Sequence, residues 1–365
     1  MVCECVIELI FMKRLIVFWA ICVTLSVAAQ DRVYVEASEL TLVGKLFENT
    51  PNPYHRLDPE KYFGFDPVEA EQIRMSAGIA VAFRTDSECI TVRPEYGANY
   101  DAWTSGHLSA KGFDLYSKQN GEWKWAGCAV IPEGTKERVA LKAKDKVMTE
   151  YLLYLPLFSE MKSVLIGVDE DSAIEPLDNP FKRRIGVYGS SFTHGTSTTH
   201  PAMNYPSQLS RMTGYQFLNM GMAGHCLMQD YMLEPLCDAD VDAYIFDTFS
   251  NPSAEIIEER LFGFIETLQA AKPGIPLIFQ KTIKLGWLTY DRERQENERR
   301  KQETVDRLMK QACSKYKDVY YIDSTVAEDR KNETTVDGIH PNDYGYTLWA
   351  KSVAKPLTRI LRKYR

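Results

Sequence analysis

The sequence predicts an α/β protein: a doubly wound parallel sheet in the C-terminal half, preceded by an all-β region of sandwich type, jelly-roll-like in its many short strands. Three observations carry this expectation. From Arg183 onward, short apolar stretches alternate with long helical ones. Before about residue 175, short β-branched and aromatic stretches are separated by turn residues, with no long helical period. Between the two patterns, Asp178-Asn179-Pro180 reads as a linker. Strands alternating with long helices build βαβ units whose parallel sheet is covered on both faces. Dense short strands build sandwiches and barrels instead.

In the N-terminal half the strand candidates are Val33–Val35, Leu40–Phe47, Ile79–Phe83, Cys89–Val92, Phe113–Tyr116, Trp123–Ile131, Tyr151–Leu157 and Val164–Val168. Asn120-Gly121 marks a tight hairpin, because both central positions of such a turn need positive φ. In the C-terminal half the strand candidates are Ile185–Tyr188, Gln216–Leu218, Ala243–Phe246, Leu277–Gln280 and Val319–Ile322. Helices are expected over Tyr205–Met212, Ser253–Ala271, Asp291–Tyr316 and Asp343–Tyr364. A chain of 365 residues fits two domains, expected over 31–178 and 183–365. Open parallel sheets bind ligands beyond the carboxyl ends of their strands, so the loops just after each strand are where chemistry is expected.

Residues 1–30 are expected to be a leader. Lys13 and Arg14 precede an apolar run, Leu15–Ala29, that ends in Ser26, Ala28 and Ala29. A basic pair, a short apolar stretch and small residues form a signal peptide, and the stretch falls short of the about 20 residues of a membrane span. Met12, directly before the basic pair, is the better candidate start. The expectation is a secreted or periplasmic protein with no stable membrane insertion.

The formal net charge is −7, and the leader's two acidic and two basic residues leave it unchanged. An acidic chain is a poor partner for nucleic acid, whose phosphates need a basic face. Five cysteines lie beyond the leader, Cys89, Cys128, Cys226, Cys237 and Cys313, with no C-x-x-C pair among them. A zinc site is therefore not expected, and scattered thiols are favoured over bridges.

The chemistry begins at the first strand of the α/β half. Ile185–Tyr188 runs straight into Gly189-Ser190-Ser191-Phe192-Thr193-His194. A buried strand ending in Gly-Ser-Ser presents a hydroxyl at the edge of the sheet, and the glycine allows a sharp turn. A serine also needs a base. Asp337-Gly338-Ile339-His340-Pro341, before the last helix, supplies an imidazole of suitable basicity, with an aspartate three residues earlier that can hold one ring nitrogen. Ser191, Asp337 and His340 are thus the candidate catalytic residues, in the logic of a serine triad. His194 is read as a rim residue that could touch substrate. Tyr54, Tyr100 and Trp103 in the β half are aromatic candidates for ligand contact.

These two segments resemble the first and last sequence blocks of the SGNH/GDSL hydrolases. Asn219-Met220-Gly221-Met222-Ala223-Gly224 resembles the family's glycine block, and Phe249-Ser250-Asn251-Pro252 its asparagine block. The resemblance covers 183–365 and implies an oxyanion hole of the Ser191 N–H, the Gly224 N–H and the Asn251 amide. The upstream β region together with Gly-Ser-Ser resembles a subgroup of secreted bacterial esterases. The chain departs from the family at Ser190, where an aspartate usually stands and helps to orient the loop. It departs again at Pro252, and Gly221 competes with Gly224 by spacing.

The function implied is a carbohydrate esterase removing acetyl or other short acyl groups, with no metal or organic cofactor. The partner is an acylated carbohydrate or another small ester. A lipase, thioesterase or lysophospholipase ranks second, since no long apolar lid is visible near the site. A catalytically inactive glycan-binding protein ranks third.

Overall fold

The computed structural model describes residues 32–99, 102, 104–142, 145–283, 290–324 and 331–364. The expected leader, together with Tyr100 and Trp103, lies outside them. Among the described residues, no helix is long and apolar enough to cross a membrane.

Among the described residues, ten strands precede residue 177. They are β1 (Arg32–Glu36), β2 (Thr41–Val43), β3 (Ala80–Thr85), β4 (Cys89–Asn99), β5 (Phe113–Gln119), β6 (Glu122–Ala129), β7 (Arg138–Lys142), β8 (Thr149–Tyr154), β9 (Ser159–Asp169) and β10 (Ile174–Pro176). They form two antiparallel sheets. One has the order β1-β9-β4-β7, the other β10-β3-β8-β5-β6 with β2 also on β3. Alternate residues of β3, β5 and β8 share an apolar cluster with those of β4 and β9, including Val81, Phe83, Leu115, Leu153, Val92 and Ile166. The hairpin at Asn120-Gly121 forms as expected, with φ of 53° and 82°.

The run read over Leu40–Phe47 pairs only over Thr41–Val43. Gly44 follows at φ +86°, so close to the neighbouring loop that a Cβ would lie 2.1 Å from the Gly78 carbonyl oxygen. The sequence reading missed β7 and β10. Both are edge strands, and their charged or proline-containing residues suit an edge but carry little apolar signal.

The second half forms β11 (Lys182–Gly189), β12 (Tyr215–Gly221), β13 (Ala243–Asp247), β14 (Leu277–Gln280) and β15 (Val319–Ile322), all parallel, in the order β12-β11-β13-β14-β15. Side chains alternate between two clusters. Ile185, Val187, Ala243, Ile245 and Ile278 pack against helices Tyr205–Thr213 and Asp343–Leu361. Tyr188, Leu218, Phe246 and Phe279 pack against helices Asp230–Asp238, Ala254–Ala271 and Arg292–Lys315. Burial on both faces explains why these strands read as continuous apolar runs. Asp230–Asp238 was not expected as a helix, because Pro235 interrupts its pattern.

The first strand has neighbours on both sides, so the chain leaves it in one direction and returns to the other. That reversal creates a switch point between β11 and β13, where a crevice opens at the carboxyl edge. The register is level there, with Gly189 opposite both Gly221 and Asp247. Three loops, beginning at Ser190, Met222 and Thr248, therefore leave the sheet side by side. The N-terminal region is part of the same packing: Leu46, Leu57, Tyr62 and Ile73 join the cluster of Leu218, Met220 and Met232.

Candidate active site

Ser191 opens a four-residue helix, Ser191–His194, directly after β11. Ser190 caps it, its Oγ accepting from the Phe192 N–H at 3.2 Å. Glycine is required at 189, since an added Cβ would lie 2.0 Å from Thr193 Oγ1 and 2.8 Å from Asp247 Cβ. At the other end Gly195 takes φ 105° and ends the helix in the left-handed region.

Far along the sequence the chain returns to this edge. Gly338 at φ 84° folds the 335–341 segment back on itself, and the Val336 N–H donates to the His340 carbonyl at 2.9 Å. Asp337 Oδ1 accepts the N–H groups of Ile339 and His340 at 2.9 and 2.7 Å, and its Oδ2 lies 2.7 Å from His340 Nδ1. Ser191 Oγ lies 3.0 Å from His340 Nε2. The structure thus brings Ser191, His340 and Asp337 together. The loop is anchored to the segment after Ser191, where the Thr199 N–H donates to Asp343 at 2.9 Å and the Tyr346 hydroxyl donates to the Thr196 carbonyl at 2.8 Å.

The electrostatics fix the proton's place. Burial pushes the Asp337 carboxyl up, but the imidazole and two backbone N–H groups outweigh it and hold the group down at about 2. An ionised carboxylate only accepts, so His340 Nδ1 carries the hydrogen. In the neutral ring Nε2 is then bare and accepts the Ser191 hydroxyl.

The oxyanion candidates sit on the two neighbouring loops. Gly224 has φ +77°, with open space where a Cβ would be. Asn251 Oδ1 accepts the Cys226 N–H at 3.2 Å, which ties the loop after β13 to the loop carrying Gly224. Among the described residues, nothing accepts the N–H of Ser191, the N–H of Gly224 or the Nδ2 hydrogens of Asn251. Gly221 differs. Its N–H donates to Asn219 Oδ1 at 2.9 Å, and its Cα faces the His194 backbone so closely that a Cβ would lie 2.1 Å from that nitrogen. Gly221 is a packing glycine.

His194 is not at the rim, which corrects the sequence reading. It is wholly buried, its Nε2 lies 2.7 Å from the Leu157 carbonyl oxygen, and its ring stacks on Phe158 at 4.4 Å. Burial, with Arg56 nearby, pushes its pKa down to about 3. The helix that starts at Ser191 turns this side chain inward, toward the N-terminal region. Tyr54 is likewise buried.

Sequence reasoning missed Asp247, the last residue of β13. Its Oδ2 accepts from the Ser190 hydroxyl at 2.8 Å, the Ser190 N–H at 3.2 Å and the Thr193 hydroxyl at 3.1 Å. At Ser190, where the family resemblance led to the expectation of an aspartate, the loop takes a carboxylate from the neighbouring strand instead. Only the register of β11 with β13 reveals that exchange. Asp247 is wholly enclosed, and burial outweighs its hydrogen bonds and pushes its pKa up to about 6.

Among the described residues, Asp66, Glu69 and His225 offer ligand atoms within 4.8 Å of one another. These groups already satisfy each other. Glu69 accepts from the Tyr231 hydroxyl at 2.6 and 2.8 Å and from the Asp66 N–H at 2.9 Å, and His225 Nδ1 lies 3.2 Å from Asp66. The five described cysteines are free thiols.

The family of GDSL-like lipases and acylhydrolases matches over residues 182–358. The N-terminal domain of SGNH-hydrolase-type esterases, GxDLY, matches over residues 32–174. The crystal structure of a Bacteroides ovatus protein described as a GDSL-like lipase is 36% identical, with a TM-score of 0.85 over 91% of this chain and 98% of its own. This chain belongs to the GDSL/SGNH acylhydrolase family. It is an ester hydrolase.

Two further structures share the fold of this acylhydrolase. The salicylyl-acyltransferase SsfX3 from a tetracycline biosynthetic pathway is 16% identical, with a TM-score of 0.70 over 90% of this chain and 97% of its own. A family two carbohydrate esterase from Cellvibrio japonicus is 12% identical, with a TM-score of 0.59 over 91% of this chain and 98% of its own. No curated protein matches the chain. The five letters of the N-terminal domain's motif stand at Gly112-Phe113-Asp114-Leu115-Tyr116. Asp114 is wholly buried, pairs with His200 and accepts the Ala202 N–H at 3.2 Å, tying that motif to the acylhydrolase half.

Proposed function

We propose that this acylhydrolase is an exported carbohydrate esterase that removes acetyl or other short acyl groups from glycans, with Ser191 as nucleophile. The observation that carries the mechanism is the chain of contacts from Asp337 to His340, 2.7 Å, and from His340 to Ser191, 3.0 Å. Ser191 Oγ attacks the acyl carbon while its proton passes to His340 Nε2. The carbonyl electron pair moves to the oxygen, which the N–H groups of Ser191 and Gly224 and the amide of Asn251 receive. Collapse expels the sugar oxygen, which takes the proton from His340. Water then repeats the sequence on the acyl-serine, releasing the carboxylic acid and restoring both side chains. Asp337 stays ionised and stabilises the imidazolium.

The carbohydrate substrate is supported by the likeness of fold to a carbohydrate esterase. It is also supported by the N-terminal region, whose two antiparallel sheets and shared cluster we read as a jelly-roll-like sandwich domain over 31–178 beside a catalytic domain over 183–365. Export is supported by the basic pair and apolar run of residues 13–29. The test is acetate release from acetylated poly- and oligosaccharides, beside p-nitrophenyl esters of increasing chain length. Wild type should favour acetyl esters, and Ser191→Ala should lose nearly all turnover while melting as wild type does. A Ser191→Ala protein with native turnover would overturn the assignment. A preference for long acyl chains would move the substrate to lipids.

A further inference from the structure

The loop that carries Gly224 is held by a residue far away in the sequence. The His225 N–H donates to the Met222 carbonyl at 3.0 Å, closing a turn over residues 222–225. Gly224, third in that turn, has φ +77°, whereas Ala223 is not among the residues of positive φ. Negative φ at the second position and positive φ at the third define a type II turn. Types I and II differ by a flip of the central peptide, here the Ala223 carbonyl and the Gly224 N–H. In a trans peptide these two groups point in opposite directions, and there is no cis bond among the described residues. Whatever holds the Ala223 carbonyl therefore aims the Gly224 N–H.

Gln72 of the N-terminal region holds it. Its Nε2 donates to the Ala223 carbonyl at 2.9 Å, and its Oε1 accepts the Ala223 N–H at 2.6 Å. Gln72 is itself wholly buried. Its backbone is clamped by Arg56, whose guanidinium donates to the Gln72 carbonyl at 2.6 Å, to the Met75 carbonyl at 3.1 Å and to the Gly221 carbonyl at 2.8 Å. One fully enclosed cation thus joins the seat of Gln72 to the end of β12, from which the turn departs.

We infer that Gln72 is a positioning residue for the oxyanion hole, so that the N-terminal region completes the catalytic centre. This rests on the reading of Gly224 as an oxyanion donor. Gln72 touches no reacting atom and acts by locking the 223–224 peptide in the flip that presents the Gly224 N–H.

The experiment compares Gln72→Met, Gln72→Glu and Gly224→Ala with wild type on one acetyl ester, and includes Ser191→Ala. Gln72→Met removes both contacts at nearly constant length. It should lower kcat by up to about 10²–10³-fold, the cost of one oxyanion donor, with KM little changed. The affinity of an alkyl boronate, which becomes tetrahedral on Ser191, should fall in parallel. Adding Gly224→Ala should cost no further activity, since both changes disable one donor. In Gln72→Glu the protonated carboxyl can both donate and accept, whereas the carboxylate only accepts. The ratio of its kcat to that of wild type should therefore fall as pH rises through the glutamate's titration, which a structural role alone would not produce. Should Gln72→Met fail to fold, this ratio decides. Wild-type kcat and boronate affinity, losses confined to KM and melting temperature, or losses that multiply with Gly224→Ala would overturn the inference. If Ser191→Ala is inactive under those outcomes, the triad survives and only the role of Gln72 falls.

Discussion

Replacing Asp247 by asparagine should change how stability depends on pH by an amount that can be worked out from the structure. The Asp247 carboxyl is fully enclosed below the Ser190–Thr193 turn, and burial raises its pKa from the ordinary 3.8 to about 6 despite three hydrogen-bond donors. Between these values the folded chain keeps a proton that the unfolded chain has released. Stability from this group is therefore full below about pH 4 and is lost as pH rises toward about 6. The slope is about 1.4 kcal/mol per pH unit and the whole effect about 3 kcal/mol. The asparagine side chain has no proton to lose, so this loss is absent from the variant. Urea unfolding at pH 4, 5, 6 and 7 measures it. The stability of Asp247→Asn minus that of wild type should climb by about 2.4 kcal/mol from pH 4 to pH 7, whatever constant offset the lost contacts impose. The other titrating groups are common to both proteins and cancel in the difference. Parallel stability curves would refute the argument, showing that the carboxylate is solvated or paired. Activity should fall at pH 7, because one amide oxygen replaces a carboxylate that accepts from three donors.

Two more outcomes follow from the same geometry. Asp337→Asn should cost about 10⁴-fold in kcat, as expected when the imidazole is held in the wrong tautomer. Its melting temperature should change little, and steady-state kinetics beside calorimetry would show both. His194, held down at about 3 by burial, stays neutral in the fold while the unfolded chain gains a proton below the ordinary value of 6.5. Its contribution is therefore lost as pH falls between those values. His194→Gln should resist acid unfolding more than wild type relative to its own neutral stability, and should leave the acid limb of the kcat/KM profile in place. A shifted limb would mean that His194 titrates during turnover.

The sequence alone determined the five strands and the long helices of the second half, because strands buried on both faces read as apolar runs between long amphipathic helices, whereas the Pro235-containing helix Asp230–Asp238 left no such pattern. It also named Ser191, Asp337 and His340, because tight turns beside glycines and the residue types of acyl transfer leave local marks. Asp247 and Gln72 left no such marks. One is the last residue of a strand and the other lies in a six-residue helix near the N-terminus, and neither spacing nor composition distinguishes them. Only the fold decided their roles. The level register of β11, β12 and β13 sets Asp247 beneath Ser190, and the packing of the N-terminal region against β12 delivers Gln72 to Ala223. The same packing turned His194 from an expected surface residue into an interior one. Local pattern reports which backbone conformation and which chemistry a segment favours, whereas a hydrogen bond across 151 residues depends on where two distant segments come to rest.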